Sequence, residues 1–174
     1  MNTYIISDTF FGRKNIINIG KRRYSSVEAM DNGMIDKWNS VVTNDDIVYH
    51  LGNFAWDPFS ANYALQNLNG KIKFLSGNKE KALIESISLY EKATMLHDQI
   101  LELPEFNVVL CHYPLEYWNG KEEGVIHLHG HNYKEFPMDL EKTMRVNVCA
   151  DYWNLYPVSI TTIIELVHDF ITLE

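Results

Sequence analysis

The chain has 174 residues, of which 46% are hydrophobic and 22% charged. This composition is typical of a globular protein and excludes a disordered chain, while the length predicts a single domain, residues 1–174, with a sizeable core. The formal net charge of −8 disfavours binding to nucleic acid, which needs clustered Lys and Arg to neutralise phosphates.

The chain enters an apolar strand at once, over residues 3–7, which leaves no room for a signal peptide. No apolar run approaches the about 20 residues that a membrane span needs. We therefore expect a cytoplasmic protein without membrane contact. Cys111 and Cys149 both lie in apolar, strand-like runs, so we expect buried reduced thiols rather than a disulfide.

The first half of the chain alternates predicted strands and helices. Strands are predicted over residues 3–7, 47–50 and 71–75. The helix after the first strand begins at Ser25, which forms a capping box with Glu28, and the next helix spans residues 61–68. This alternation predicts a parallel sheet with helices packed on it.

The second half has strand candidates over residues 101–103, 107–110, 125–128 and 145–148. Loops join them, which indicates a more antiparallel second sheet. Ser159 can cap a final amphipathic helix. Two sheets that face each other, with helices outside, predict a four-layered α/β sandwich of two mixed β-sheets flanked by helices.

Polar side chains gather where the predicted strands end, which is where a sheet presents loops to a ligand. The sequence carries five such segments: Ser7-Asp8-Thr9-Phe10, His50-Leu51-Gly52-Asn53, Ser76-Gly77-Asn78-Lys79, Cys111-His112-Tyr113-Pro114 and Leu128-His129-Gly130-His131-Asn132-Tyr133.

In their order and context these segments resemble the calcineurin-like metallophosphoesterases. The blocks of that family are Asp-x-His, Gly-Asp, Gly-Asn-His, a lone His and Gly-His-x-His. The chain is most similar to small phosphoesterases, often found in phage genomes, that begin Ile-Ser-Asp-Thr-His-Phe-Gly-His; residues 6–13 here read Ile-Ser-Asp-Thr-Phe-Phe-Gly-Arg. The resemblance covers nearly the whole chain and implies the four-layered metallophosphoesterase fold.

The resemblance also implies a dinuclear metal site, and this chain departs from it. The matching metal-ligand positions are Asp8, Asn53, Asn78, His112 and His131. Phe10 and Tyr133 replace histidine ligands, Asn53 replaces the aspartate that bridges both metals, and Lys79 stands in place of the general-acid histidine. Phenylalanine cannot ligate a metal, and an amide bridges two cations poorly because it is neutral.

Two functions follow from this degenerate site. The first is a catalytically inactive pseudoenzyme that binds a protein partner, which would be a host protein if the gene is phage-encoded, or a small phosphorylated ligand. The second is a phosphoesterase, a hydrolase, that works with one divalent metal (Zn, Mn or Ni) at Asn78, His112 and His131. On the first reading no metal is expected at full occupancy, and enzyme activity is left open with inactivity favoured.

Three side-chain roles remain to be decided by geometry. We predict that Lys79 reaches into the space of the missing metal and pairs with Asp8. His127 and His129 lie in a strand and are expected to be structural. The basic cluster formed by residues 13, 14 and 21–23 is either a solvated loop or a rim that attracts phosphate.

Overall fold

The computed structural model describes residues 1–132, 138–139 and 144–172. The strands are β1 (Thr3–Ile6), β2 (Ile47–His50), β3 (Lys71–Phe74), β4 (Ala93–Met95), β5 (Ile100–Leu103), β6 (Val108–Cys111), β7 (Ile126–His129), β8 (Met138–Asp139), β9 (Arg145–Asn147) and β10 (Val158–Ser159). The helices are α1 (Ile16–Ile19), α2 (Val27–Val41), α3 (Pro58–Asn67), α4 (Lys81–Ile87) and α5 (Ile160–Thr172).

The strands form two mixed sheets. The first has the order β10-β1-β2-β3-β4, in which β1 to β4 run parallel and β10 pairs antiparallel with β1. The second has the order β5-β6-β7-β9-β8, with β6, β7 and β9 parallel and the outer strands β5 and β8 antiparallel. The α/β class and the two mixed sheets with helices confirm this part of the predicted architecture.

The core has two parts because side chains alternate between the faces of each strand. Ile6, Val48 and Phe74 point from the first sheet toward α2, α3 and α4, where Trp38 is also buried. Ile5 and Tyr49 face the other way and join residues of the second sheet such as Leu110 and Leu128. The second part of the core therefore lies between the sheets.

The structure corrects one local prediction and confirms another. The first helix of the βαβ pattern is capped by Ser26, whose hydroxyl accepts from the Ala29 backbone N–H, so the predicted box of Ser25 with Glu28 is wrong by one residue. The second sheet is more antiparallel than the first, as predicted: among the described strands, two of its four pairings are antiparallel, against one of four in the first sheet. Residues 112–125 form the crossover from β6 to β7 that parallel strands require.

The two sheets meet at the carboxyl ends of their parallel strands. Ser7, directly after β1, forms a parallel bridge with Cys149, which follows β9. The Ser7 backbone N–H donates to the Val148 carbonyl at 3.0 Å, and the Ala150 N–H donates to the Ser7 carbonyl at 2.8 Å. Loops from both sheets are thereby held at one place.

Within the described ranges, no helix combines the length and the apolar character needed to cross a bilayer. Cys111 and Cys149 are both buried and free, which confirms the prediction of reduced thiols.

Candidate functional site

Four predicted site residues meet where parallel strands of both sheets end. Asp8 follows β1, Asn53 follows β2, His112 follows β6 and His131 follows β7. Asn53 hydrogen-bonds Asp8 and lies at a hydrogen-bonding distance from His112, while His131 contacts both Asp8 and His112. The structure thus brings these four residues into one cluster, which we call the strand-end cluster.

The Asp8 carboxylate is fully buried and has a donor at each oxygen. Oδ1 accepts from Asn53 Nδ2 at 2.9 Å. Oδ2 accepts from the Ser7 hydroxyl at 2.7 Å, the His131 backbone N–H at 2.8 Å and the Cys149 thiol at 3.2 Å. Burial, and then the charge of Asp8, raise the pKa of the Cys149 thiol well above its usual value, so this thiol keeps its proton and donates. Among the described residues, the donors that satisfy the carboxylate are all neutral.

The Asn53 side chain is oriented by the charge of Asp8. Its Nδ2 faces the carboxylate, because the opposite orientation would place the amide oxygen against another acceptor. The same Nδ2 lies 3.4 Å from His112 Nε2. Asn53 Oδ1 is buried and has no hydrogen-bond partner among the described residues. Asn53 therefore presents one unused acceptor inside the cluster.

The two histidines form a directed pair. His112 Nδ1 lies 2.6 Å from the Leu51 carbonyl, which only accepts, so Nδ1 carries the proton and Nε2 is an acceptor. His131 Nδ1 lies 3.2 Å from that Nε2 and donates to it. Burial lowers the pKa of His112 although Asp8 opposes this, so the ring is neutral at pH 7. The half-exposed Tyr113 ring packs on both imidazoles at centroid distances of 4.8 and 4.9 Å.

Strained backbone is concentrated in this cluster. Asp8, Asn53 and His131 have left-handed conformations with φ of 58°, 59° and 70°, and Phe10 has φ of 52°. Each such non-glycine residue costs about 1–2 kcal/mol, less for Asp and Asn. Strain of this kind gathers at ligand sites, where the surrounding structure imposes it. The loops thus have the strained backbone that is typical of ligand sites.

A glycine allows the closest approach of these loops. A Cβ atom on Gly130 would lie 2.1 Å from Ser7 Oγ and 2.7 Å from Asp8 Oδ2, so any side chain there would displace the carboxylate. This close approach is the physical reason for a glycine directly after β7.

Glu80 belongs to the site and was not predicted. Its Oε1 accepts from the backbone N–H groups of Asn53 and Gly77, which ties the loop after β2 to the loop after β3. Burial raises the pKa of Glu80, and Asp8 adds to the effect, while the backbone hydrogen bonds oppose it. Its position directly after the Ser76–Lys79 segment was the available signal, but a Glu at the start of a helix usually faces solvent.

The remaining predicted site residues lie differently. Asn78 is exposed and makes no hydrogen bond within the described residues, although its neighbour Gly77 abuts Asn53. Lys79 is exposed, with Nζ 5.3 Å from the centre of the Trp56 ring. The predicted pairing of Lys79 with Asp8 is therefore wrong, because neutral donors already satisfy that carboxylate. Phe10 is buried in the core. Tyr133 lies outside the described residues.

The strand histidines serve the fold. The Leu115 backbone N–H donates to His127 Nε2 at 3.0 Å, so His127 Nδ1–H donates to the Val109 carbonyl. Burial lowers the pKa of His127 to about 4. His129 is buried, with Nδ1 2.9 Å from the Gly130 carbonyl. Both rings thus contact backbone groups, as expected of structural residues.

The donor set does not fit two metals. Each Asp8 oxygen is already hydrogen-bonded, Asn53 turns its amino group and not an oxygen toward Asp8, and Phe10 offers no ligand. Within the described part of the chain, no group of three or more His, Cys, Asp and Glu side chains is arranged to hold a metal. One ion fits better: His112 Nε2 and His131 Nδ1 are 3.2 Å apart, the spacing of two ligands at about 2.1 Å from a common zinc.

Comparison with known proteins gives relatives without a known function. No protein-family model matches the sequence. The "Uncharacterized protein MJ1445" of Methanocaldococcus jannaschii is 34% identical over 171 residues, which cover 94% of this chain and 90% of the relative. The crystal structure of "the Protein of Unknown Function AQ665" from Aquifex aeolicus aligns with a TM-score of 0.67 and 24% identity, over 95% of this chain and 98% of that one. The structural likeness supports a shared fold.

Proposed function

This chain belongs to the family of the uncharacterized protein MJ1445, and we propose that it is a metallophosphoesterase-fold protein whose degenerate site binds a ligand or protein partner without catalysis. The proposal includes the four-layered form of that fold. It is supported by the order of the five strand-end segments in the sequence. That the partner is a protein, and that it comes from a host, remain predictions from the sequence.

The observation that carries the proposal is the hydrogen bond from Asn53 Nδ2 to Asp8 Oδ1 at 2.9 Å. The resemblance implies that residue 53 would be a carboxylate that bridges two cations, of which Asp8 also binds one. Two buried carboxylates need those cations, because like charges repel strongly in a low dielectric. An amide in this place removes one charge and hydrogen-bonds the other, so the cluster is stable without metal.

Two positions that the resemblance assigns to catalysis also carry other residues in this chain. Phe10 fills the core where the resemblance implies a histidine ligand. Lys79, at the general-acid position, is exposed beside Trp56. An exposed lysine lacks the buried, positioned setting in which enzymes make a side chain an effective general acid. Metal activation and proton donation are thus both weakened.

A second candidate function is a phosphoesterase that uses one metal. It is favoured by the pair of imidazole nitrogens, which lie 3.2 Å apart. His112 and His131 would then hold the ion, without the exposed Asn78 of the predicted set. A zinc ion with an open position lowers the pKa of a bound water.

Hydrolysis of a chromogenic phosphodiester, with Mn, Ni or Zn added in turn, tests the proposal. We expect that the strand-end cluster of the unmodified protein catalyses no saturable hydrolysis of this substrate. His112→Gln is the control, since turnover that survives this substitution comes from a contaminant. Metal-dependent turnover that the substitution abolishes would refute the pseudoenzyme and establish the second candidate.

A further inference from the structure

Trp56, in the loop after β2, has two cations close to its indole ring. The residue is 52% exposed, and its backbone N–H donates to the Phe11 carbonyl at 2.8 Å. The Arg13 guanidinium carbon lies 5.0 Å from the ring centre and Lys79 Nζ lies 5.3 Å from it. The loops after β1, β2 and β3 each contribute one of these three residues, which we call the Trp56 clamp.

The clamp holds hydrogen-bond donors that the described structure leaves unused. Arg13 Nε donates to Asn15 Oδ1 at 2.7 Å, and the guanidinium also stacks on Phe10 at 4.4 Å, which fixes its position. The terminal nitrogens of Arg13, the indole N–H of Trp56 and the Lys79 ammonium have no acceptor among the described residues. These groups can donate and cannot accept.

Neighbouring carboxylates are occupied by other donors. Glu80 accepts from the backbone of Asn53 and Gly77, Asp57 accepts from the Ser60 N–H and hydroxyl, and Asp31 accepts from the Gly12 N–H. The ion pairs in the described ranges are Arg22–Asp151 and Lys81–Glu85. On a chain with a net charge of −8, the clamp brings together the exposed Lys79 and the largely buried Arg13, and neither has an acidic partner among the described residues.

We propose that the Trp56 clamp binds a phosphate dianion, free or as a monoester, without a metal. The fork of Arg13 and the point charge of Lys79 match the two charges of the dianion, and the indole N–H supplies a third donor. Cation–π contacts at exposed sites are weak, so Lys79 can leave the ring for the anion. The inference rests on the proposed function in one respect. It assumes that the protein binds a ligand without turnover, and it assigns the class of that ligand.

The test is an NMR titration in excess EDTA, with phenyl phosphate and inorganic phosphate as the probes. The indole N–H signal of Trp56, assigned with Trp56→Phe, reports occupancy. We expect a saturable shift in the unmodified protein and an increase in Kd of about tenfold or more in Lys79→Gln and in Arg13→Gln, since each loses a charge-assisted hydrogen bond. Lys81→Gln and Lys14→Gln change the same charge at nearby exposed positions, and their Kd should stay within about twofold of the original.

Each outcome decides the proposal. Tighter binding of phenyl phosphate assigns a monoester, and equal binding of both probes assigns the free ion. No saturable shift of the Trp56 signal would overturn the inference, as would equal losses in Lys79→Gln and Lys81→Gln, which indicate general charge attraction. Because Lys79 is exposed, its variant should fold. Metal-dependent turnover would refute the proposed function and leave this metal-free result standing, so the two failures are distinguishable.

Discussion

Asn53 places a neutral amide between a buried aspartate and a neutral histidine. Its amino group bonds Asp8 at 2.9 Å, and its backbone N–H bonds Glu80. The side chain is 3% exposed and Asp8 is 0% exposed, so water cannot replace either bond. At this position the difference between an amide and a carboxylate decides whether the cluster needs cations.

Asn53→Asp should therefore destabilise the protein and leave it inactive. The substitution replaces a donor to Asp8 by a second buried carboxylate, which costs about 3–5 kcal/mol at pH 7. The loss should shrink as the pH falls, because the carboxylate pair then keeps a proton in the folded state. Chemical denaturation at pH 7 and pH 5 measures both effects.

Asn18→Asp, at an exposed position, is the control for the added charge and should change the free energy of unfolding by less than about 0.5 kcal/mol. Strong manganese-dependent turnover by Asn53→Asp would contradict the prediction. The variant still has Phe10 and Lys79 where the resemblance implies a histidine ligand and a general-acid histidine. Recovery of stability on adding manganese would show that the remaining residues still form a metal site.

At the scale of elements, Arg22 holds the loop after β1 in its strained form. Its Nη1 donates to the Thr9 carbonyl at 2.6 Å and its Nη2 to the Asp8 carbonyl at 2.9 Å. Its Nε and Nη2 also contact the Asp151 carboxylate at 2.7 and 3.0 Å, and both side chains are almost fully buried. One arginine thus links the segment before α2 to the turn after β9.

Arg22→Met should lower the free energy of unfolding by about 3–5 kcal/mol, because Asp151 would remain as an unpaired buried charge. The matched control is Arg23→Met, at an exposed position, with an expected change below about 0.5 kcal/mol. Adding Asp151→Asn to Arg22→Met should restore part of the loss. Equal stability of the Arg22 and Arg23 variants in urea would rule out this role.

The sequence predicts elements where a local pattern decides them. Asp8 and Asn53 follow apolar runs that form strands, as predicted. The helix predicted over residues 61–68 is α3, which begins earlier, at Pro58 after the Asp57 cap. The direction of β7 could not be read, because parallel and antiparallel strands share one alternation of side chains. The role of Glu80 and the contact of Lys79 with Trp56 could not be read either, since both depend on loops brought together by the fold.

At the scale of the whole molecule, buried histidines make stability depend on pH. His50 is enclosed, with the Gly52 N–H donating to its Nδ1 and its Nε2 bonding Thr9. Burial lowers its pKa to about 3, and that of His127 to about 4. Below pH 6.5 these two imidazoles bind protons in the unfolded chain but stay neutral in the folded protein. Stability therefore falls as the pH falls.

Burial of Asp31 acts in the opposite direction, because it raises the pKa of that carboxyl to about 6. The folded state then binds a proton that the unfolded state has released, so stability rises as the pH falls from about 6 to 4. Burial also raises the pKa of Glu80. The observed slope is the balance of these groups, and single substitutions are needed to separate them.

His127→Gln should remove up to about 1.4 kcal/mol per pH unit of the stability slope between pH 6 and 4.5. The glutamine oxygen can still accept from the Leu115 N–H, so the fold should survive. Unfolding in urea across this pH range gives the slope. His97→Gln, at an exposed position, is the control and should leave the slope unchanged; an equal effect in both variants would show that burial is not the cause.

We propose that the strand-end cluster is a hydrogen-bonded network and not a dinuclear metal centre. Anomalous scattering from crystals grown with manganese would locate any metal in it. We expect Asn53 Nδ2 to remain bonded to Asp8, without a pair of metal peaks in the cluster; one peak at His112 and His131 would support the one-metal candidate. Two strong peaks about 3.5–4 Å apart, bridged by residue 53 and with Asp8 on one of them, would refute the proposal.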